Sequence, residues 1–209
     1  MLKKMDNSHS NPTPLLSVSP LEEEGIVRRG PANATIVYKE WRHAGKLILR
    51  GTISDKKFAM ATQKLFSHGL PTTPNSFKLE RDATVLWLGP DEWLLITNCD
   101  QEAILKKKLE KALSGTHSAL IDVSDNSTII QISGENARRV IMKGCSVDVH
   151  PRVFGPGCCV QTNLAQANVI FWLEDEKPSY NILVRASFAN YLWNWLLDAA
   201  SEFSFRIEI

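Results

Sequence analysis

The chain has 209 residues, 44% of them hydrophobic and 22% charged, with a formal net charge of +1. That is an ordinary globular composition, long enough for one large domain or two lobes sharing a core, and it carries no excess of positive charge for nucleic acid or an anionic membrane. No apolar run reaches the roughly 20 residues of a membrane span, and the Lys3-Lys4 start lacks the apolar segment of a secretory signal, so the expected location is the cytoplasm.

Four cysteines (Cys99, Cys145, Cys158 and Cys159) show no paired framework, and the adjacent Cys158 and Cys159 do not easily meet disulfide geometry, so free buried thiols are expected. Residues 1–116 carry 17 basic and 13 acidic side chains and residues 117–209 carry 7 and 10, an imbalance within the ordinary scatter of surface charge.

Residues 1–24 are rich in Asn, Ser and Pro and end in Glu22-Glu23-Glu24; they bury too little apolar surface to offset ordering, which predicts a flexible or partner-draped arm, with Pro14 to Val18 as an embedded docking candidate. Periodicity begins near residue 35. Ala34 to Tyr38 and Lys46 to Arg50 read as strands, the second closed by Gly51. Ser54 is placed to cap a helix carrying Phe58, Ala61, Thr62, Leu65 and Phe66, with Gly69 where a C-terminal glycine belongs. After the Pro71 to Pro74 turn, Ser76 to Leu79 and Thr84 to Leu88 read as strands. The Gly89-Pro90-Asp91-Glu92 turn joins the latter to Trp93 to Ile96 in a hairpin, and Asp100 is placed to cap a helix running to Leu113.

The second half repeats this order. Ser127 to Ile132 is a strand, a short helix with Ala137, Val140 and Ile141 stops near Gly144, and Cys159 to Leu164 is a further strand. Val169 to Leu173 and Tyr180 to Val184 flank an acidic turn as a second hairpin, and Ser187 opens a closing helix. A period near 85 residues, with a tryptophan-bearing hairpin in each copy, predicts an α+β fold of two related lobes of antiparallel or mixed sheet with packed helices. The lobes are residues 35–116 and 117–200. Phe203 to Ile209 alternates strictly and reads as a strand that completes this chain's own sheet or adds to a partner's edge.

Motifs for chemistry are sparse. Gly155-Pro156-Gly157 has Val160 where a dinucleotide fingerprint has its third glycine, and its proline removes a phosphate-cradling N–H. The five histidines are scattered, with no H-x-x-x-H and no C-x-x-C. Cys145 and His150 are close in sequence, but a cysteine after a helix-ending glycine reads as a buried filler. Asp122, Asp125 and Asp148 are carboxylates in turn-like contexts. No catalytic, cofactor-binding or metal-ligating residue is therefore expected in this chain. In the closing helix, Phe188, Tyr191, Leu192, Trp195, Leu196 and Ala199 form one stripe. Trp193, Leu197 and Ala200 lie largely outside it, so the helix is apolar on two sides and its second side meets either the other lobe or a partner subunit.

Four strings carry a family resemblance: Leu86-Trp87-Leu88-Gly89-Pro90-Asp91-Glu92-Trp93-Leu94-Leu95, Asp122-Val123-Ser124-Asp125, Lys143-Gly144-Cys145-Ser146-Val147-Asp148-Val149-His150-Pro151 and Ser187 to Leu196. They are similar to signatures of the gamma subunit of heterotetrameric sarcosine oxidase, and the similarity runs from about residue 35 to 200. The resemblance implies a structural subunit without activity of its own. Its complex oxidises sarcosine to glycine with release of peroxide, the methyl carbon leaving as formaldehyde or passing to tetrahydrofolate. It further implies alpha, beta and delta partner subunits, with FAD, FMN, NAD and zinc in the partners and none in this chain, and a fold related to the folate-binding domain of aminomethyltransferases. Asp148-Val149 and Pro156-Gly157 look like elements of those transferases, so a folate-binding or aminomethyl-transferring enzyme is the alternative. The transferases place an aspartate in or near the following hairpin, whereas here Val169 to Leu173 is wholly apolar and carboxylates stand only in the turn at Glu174 to Glu176, where they are expected to be solvated.

Overall fold

The computed structural model describes residues 18–22 and 29–208. Short runs of β-branched and aliphatic residues broken by Gly, Pro and Asp form strands, and the 3.6-residue patterns form helices. In chain order these are β1 (Ile36–Trp41), β2 (Gly45–Gly51), α1 (Lys56–Leu65), β3 (Phe77–Leu79), β4 (Thr84–Gly89), β5 (Glu92–Thr97), α2 (Glu102–Ala112) and β6 (Ser118–Asp122). A 3-10 turn (Ser124–Asn126) leads to β7 (Ser127–Ser133), α3 (Ala137–Met142), β8 (Cys159–Leu164), β9 (Ala167–Leu173), β10 (Ser179–Arg185), α4 (Ala186–Ala199) and β11 (Phe205–Glu208).

The strands make a six-stranded sheet in the order β11-β1-β7-β10-β9-β8 and a five-stranded sheet in the order β3-β4-β5-β2-β6. Read from β8, the larger sheet is β8-β9-β10-β7-β1; read from β3, the smaller is β3-β4-β5-β2-β6. The two orders correspond element by element, and α1 and α2 fall where α3 and α4 do, so the expected duplication is present in the topology. The copies exchange their first strands: β1 pairs antiparallel with β7, and β6 with β2. A boundary between residues 116 and 117 therefore leaves each sheet with strands from both halves.

Period-two alternation sends each strand's apolar residues to two different cores. In the smaller sheet Leu47, Leu49, Val85, Trp93 and Leu95 meet Phe58 of α1 and Leu105 and Leu109 of α2. In the larger sheet Ile130, Ile132, Phe171 and Ile182 meet Val140 of α3 and Leu192, Trp193 and Leu196 of α4. The opposite faces press together through Leu86, Leu94, Ile96, Ile129, Cys159 and Trp172, giving a helix–sheet–sheet–helix stack. Trp93 points at the helices, as Tyr180 of β10 does, and its indole N–H donates to the Pro71 carbonyl at 2.8 Å, while Trp172 lies between the sheets.

Several local expectations are corrected. Asp55, not Ser54, caps α1, accepting from Lys57 N at 2.8 Å. Asp100 takes a left-handed φ of 62° in the turn before α2, whose Gln101 cap makes no side-chain bond. The strand β6 has no counterpart in the sequence reading, because the surrounding Gly115 and Asp122 to Asn126 read as loop. β11 completes this chain's own sheet, parallel to β1. The arm is pinned where it is described: Leu21 is fully buried in the larger core and the Ser19 hydroxyl donates to the buried Glu40 carboxylate. Residues 1–17 and Glu23 and Glu24, which include most of the docking candidate, lie outside the described residues.

Gly134 closes β7 at a φ of +109°, and a Cβ there would lie 2.3 Å from the Thr35 carbonyl oxygen; Gly155 would meet nothing within 4 Å. Gly134→Ala is therefore expected to destabilise the chain by well over about 1 kcal/mol in urea unfolding, with Gly155→Ala within about 0.5 kcal/mol of the parent.

Candidate functional site

The exchanged strands force two crossings from sheet to sheet, one through Arg42 to Ala44 and one through the 3-10 turn, and polar side chains gather where they meet. Glu40, at the end of β1, is buried; its carboxylate accepts from the Thr128 hydroxyl at 2.7 Å and from Ser19, and pairs with the Arg42 guanidinium at 3.4 Å. Lys46, at the start of β2, is 2% exposed and its ammonium donates to the Ala44 carbonyl at 2.7 Å. Its backbone holds the other crossing: Lys46 N donates to the Ser124 hydroxyl at 3.0 Å and its carbonyl accepts from Val123 N at 2.9 Å. A cavity of about 580 Å³ lies against this junction, lined in part by His43, Lys46, Cys99, Glu102, Asp125 and Thr128. Burial lowers the Lys46 pKa to about 8, against the pull of Asp125, Asp122, Glu102 and Glu40.

A second, shallower cavity of about 420 Å³ opens on the inner face of the larger sheet, beyond the edge of the smaller one, lined by Lys39, Glu40, Trp41, Arg42, Gln131 and Glu174. Cross-strand register sets Lys39, Gln131, Asn181 and Trp172 in one row. The Gln131 amide donates to the Asn181 side-chain oxygen at 2.6 Å. Glu174 is partly buried beside this row, and burial raises its pKa; the Trp172 indole and Asn181 amide N–H groups draw it back without closing hydrogen bonds to it. Glu174 is thus not the solvated turn carboxylate the sequence suggested. Its backbone N–H pairs with the Ser179 carbonyl at 3.1 Å, which extends the β9–β10 hairpin by one residue and turns this side chain onto the sheet.

The remaining candidates disperse. Cys145 and His150 form no nucleophile–base pair: burial raises the Cys145 pKa, and His150 Nδ1 accepts from Arg152 N at 3.2 Å. Asp148 accepts from His150 N at 2.8 Å and Asp122 from Ser124 N at 3.0 Å, so both carboxylates stabilise turns. Of the four free thiols only Cys159 is buried, and desolvation pushes its pKa up to about 12; Cys99 is exposed. Gly157 takes φ +88° and its carbonyl accepts from Phe77 N at 3.0 Å, tying the Pro156-Gly157 turn to β3. Among the described residues no three of His, Cys, Asp and Glu gather as a metal group, and no helix is long and apolar enough to cross a membrane.

Of the candidates on the second side of α4, Trp193 is 2% exposed, with its ring 5.8 Å from that of Tyr38, and Ala200 is fully buried within this chain; Leu197 is partly buried against the same core. The buried face is Ala189, Leu192, Trp193, Leu196 and Ala199, rotated from the expected stripe, and β1 reaches it because β1 is the exchanged strand. Phe188 and Tyr191 are exposed instead.

The model of the sarcosine oxidase, gamma subunit family matches residues 50–202. The sarcosine oxidase subunit gamma of Corynebacterium sp. (strain P-1) is 34% identical over 197 residues, covering 88% of this chain and 95% of that one. A chain of the heterotetrameric sarcosine oxidase from Corynebacterium sp. U-96, solved in complex with pyrrole 2-carboxylate, superposes with a TM-score of 0.80 at 31% identity, over 90% of this chain and 96% of that one. Aminomethyltransferase T of the glycine cleavage system from Bartonella henselae shares the fold, with a TM-score of 0.61 at 12% identity over 90% of this chain and half of that one.

The buried lysine has a measurable signature. Its pKa falls from an ordinary 10.5 to about 8 on folding, so below pH 8 both states hold the proton and folding bears the desolvation penalty; as pH rises from 8 to 10.5 the folded chain sheds the proton first and gains stability. Urea titrations across that window are expected to show Lys46→Met lacking a gain of about 3 kcal/mol that the parent has.

Proposed function

Since the chain belongs to the sarcosine oxidase gamma subunit family, we propose that it is a non-catalytic structural subunit of a heterotetrameric complex that demethylates sarcosine oxidatively to glycine and peroxide. The methyl carbon leaves as formaldehyde or passes to tetrahydrofolate. On this reading FAD, FMN, NAD and zinc reside in the alpha, beta and delta partners, none is held here, and the assembly works in the cytoplasm. The likeness over nearly the whole of both chains carries the proposal. The interior supports it. The buried thiol Cys159 donates toward the Ser76 carbonyl at 3.2 Å, and the Tyr38 hydroxyl to the Leu196 carbonyl at 2.8 Å, so both polar groups serve packing.

A second reading, a folate-binding or aminomethyl-transferring enzyme, is favoured by one observation: Glu174 is half withdrawn from water on the sheet face, close to the hairpin position where the transferases hold their carboxylate.

Two measurements separate these readings. Co-expressed with the other subunits, the chain is expected to co-elute with flavin absorbance, and alone to leave sarcosine unoxidised with a dye acceptor; turnover by the isolated chain would sink the structural reading. In calorimetric titration with tetrahydrofolate, the second reading expects saturable heat that Glu174→Gln weakens by about tenfold or more. No heat up to millimolar ligand removes it.

A further inference from the structure

The internal repeat makes two sheet edges directly comparable. β1 and β6 are corresponding strands, each seated antiparallel on its inner neighbour over five residue pairs, with Tyr38 opposite Ile132 and Leu120 opposite Leu49. The outer edge of β1 is filled by β11, which runs parallel to it through four pairs, Ile36 with Phe205 to Lys39 with Glu208. β6 ends the smaller sheet, and its outer edge has no strand partner among the described residues.

Apart from its terminal Asp122, this edge has little to protect a solvent-facing strand. Its sequence, Ser-Ala-Leu-Ile-Asp, has no lysine and no proline, Ala119 is exposed, and Ile121 is 51% exposed. Unpaired backbone N–H and C=O groups beside an uncovered isoleucine are a template for another strand. The edge ends at Asp122, with Asp125 exposed just beyond it. In the larger sheet Lys39, near the equivalent end of β1, is the register partner of Glu208, whose carboxylate pairs with Arg206 at 2.7 Å.

We propose that the outer edge of β6 receives an extended segment of another subunit of the complex. The segment enters parallel to β6 as a sixth strand, with an apolar side chain against Ile121 and a basic residue at its C-terminal end facing Asp122 and Asp125. The assignment rests on the subunit reading above and adds to it the surface and the chemistry of the contact. A second copy's β6 has no basic residue to set against these carboxylates.

Hydrogen–deuterium exchange on the isolated chain and on the co-expressed complex tests this. Assembly is expected to slow exchange across Ser118 to Asp122 by about tenfold or more. Ile121→Lys is expected to weaken co-purification by about tenfold while leaving Tm unchanged, and Leu79→Lys, at an exposed position on β3, to do neither. A complex that forms with unaltered exchange at β6 overturns the docking assignment and leaves the subunit reading standing. Failure of any complex to form removes both. Protection of β6 in the isolated chain that grows with concentration assigns the edge to self-association and overturns the partner proposed.

Discussion

The constraint on which the rest of this structure depends is the exchange of β1 and β6 between the two sheets. Because each half lends the other its first strand, neither sheet is complete without both halves, and the apolar faces trapped between them cannot part without tearing two strand pairings. The helices follow from this: α4 buries Trp193 against Tyr38, a residue of the exchanged β1, so the core of the second half is closed by the first. A rigid body of this kind suits a protein that presents surfaces.

The exchange also fixes where polarity is buried. A strand leaving one sheet for the other must turn within a few residues, and its backbone groups need partners there. Ser124 and Val123 supply them for Lys46, while the Thr128 and Ser19 hydroxyls donate to the buried Glu40 carboxylate. Buried charge of this kind is weak support for stability, since desolvation opposes the attraction between the groups. Its better-attested use is register, and at this junction a slip of one residue would set Lys46 or Glu40 into an apolar core.

Much of the fold was legible in the chain itself. Alternation and turn residues located ten of the eleven strands, the hairpin at Gly89 to Glu92 and the duplication, because these depend on contacts between near neighbours. β6 was not legible: its Ser118 and Asp122 ends look like loop, and it is a strand because β2 offers it an edge. The α4 stripe was placed only half correctly for a related reason: Leu192, Leu196 and Ala199 are inside, but Trp193 replaces Phe188 and Tyr191. The seven large aromatic and aliphatic residues of α4 satisfy more than one helical face, and the position of β1 decides which of them are inside.

Sequence alone determined the family, through ten contiguous residues at the first hairpin whose side chains and turn are specified locally, and the α+β class, through periodicity. Tertiary structure decided the rest: that Trp193 and Ala200 lie in the core, that Glu174 lies on a sheet face, and that among the described residues β1 has an outer strand partner and β6 has none. Those outcomes rest on which strands lie side by side across nearly a hundred residues of chain. A local pattern carries no information about a neighbour that distant, because burial is a property of the assembled surface and not of the segment that enters it.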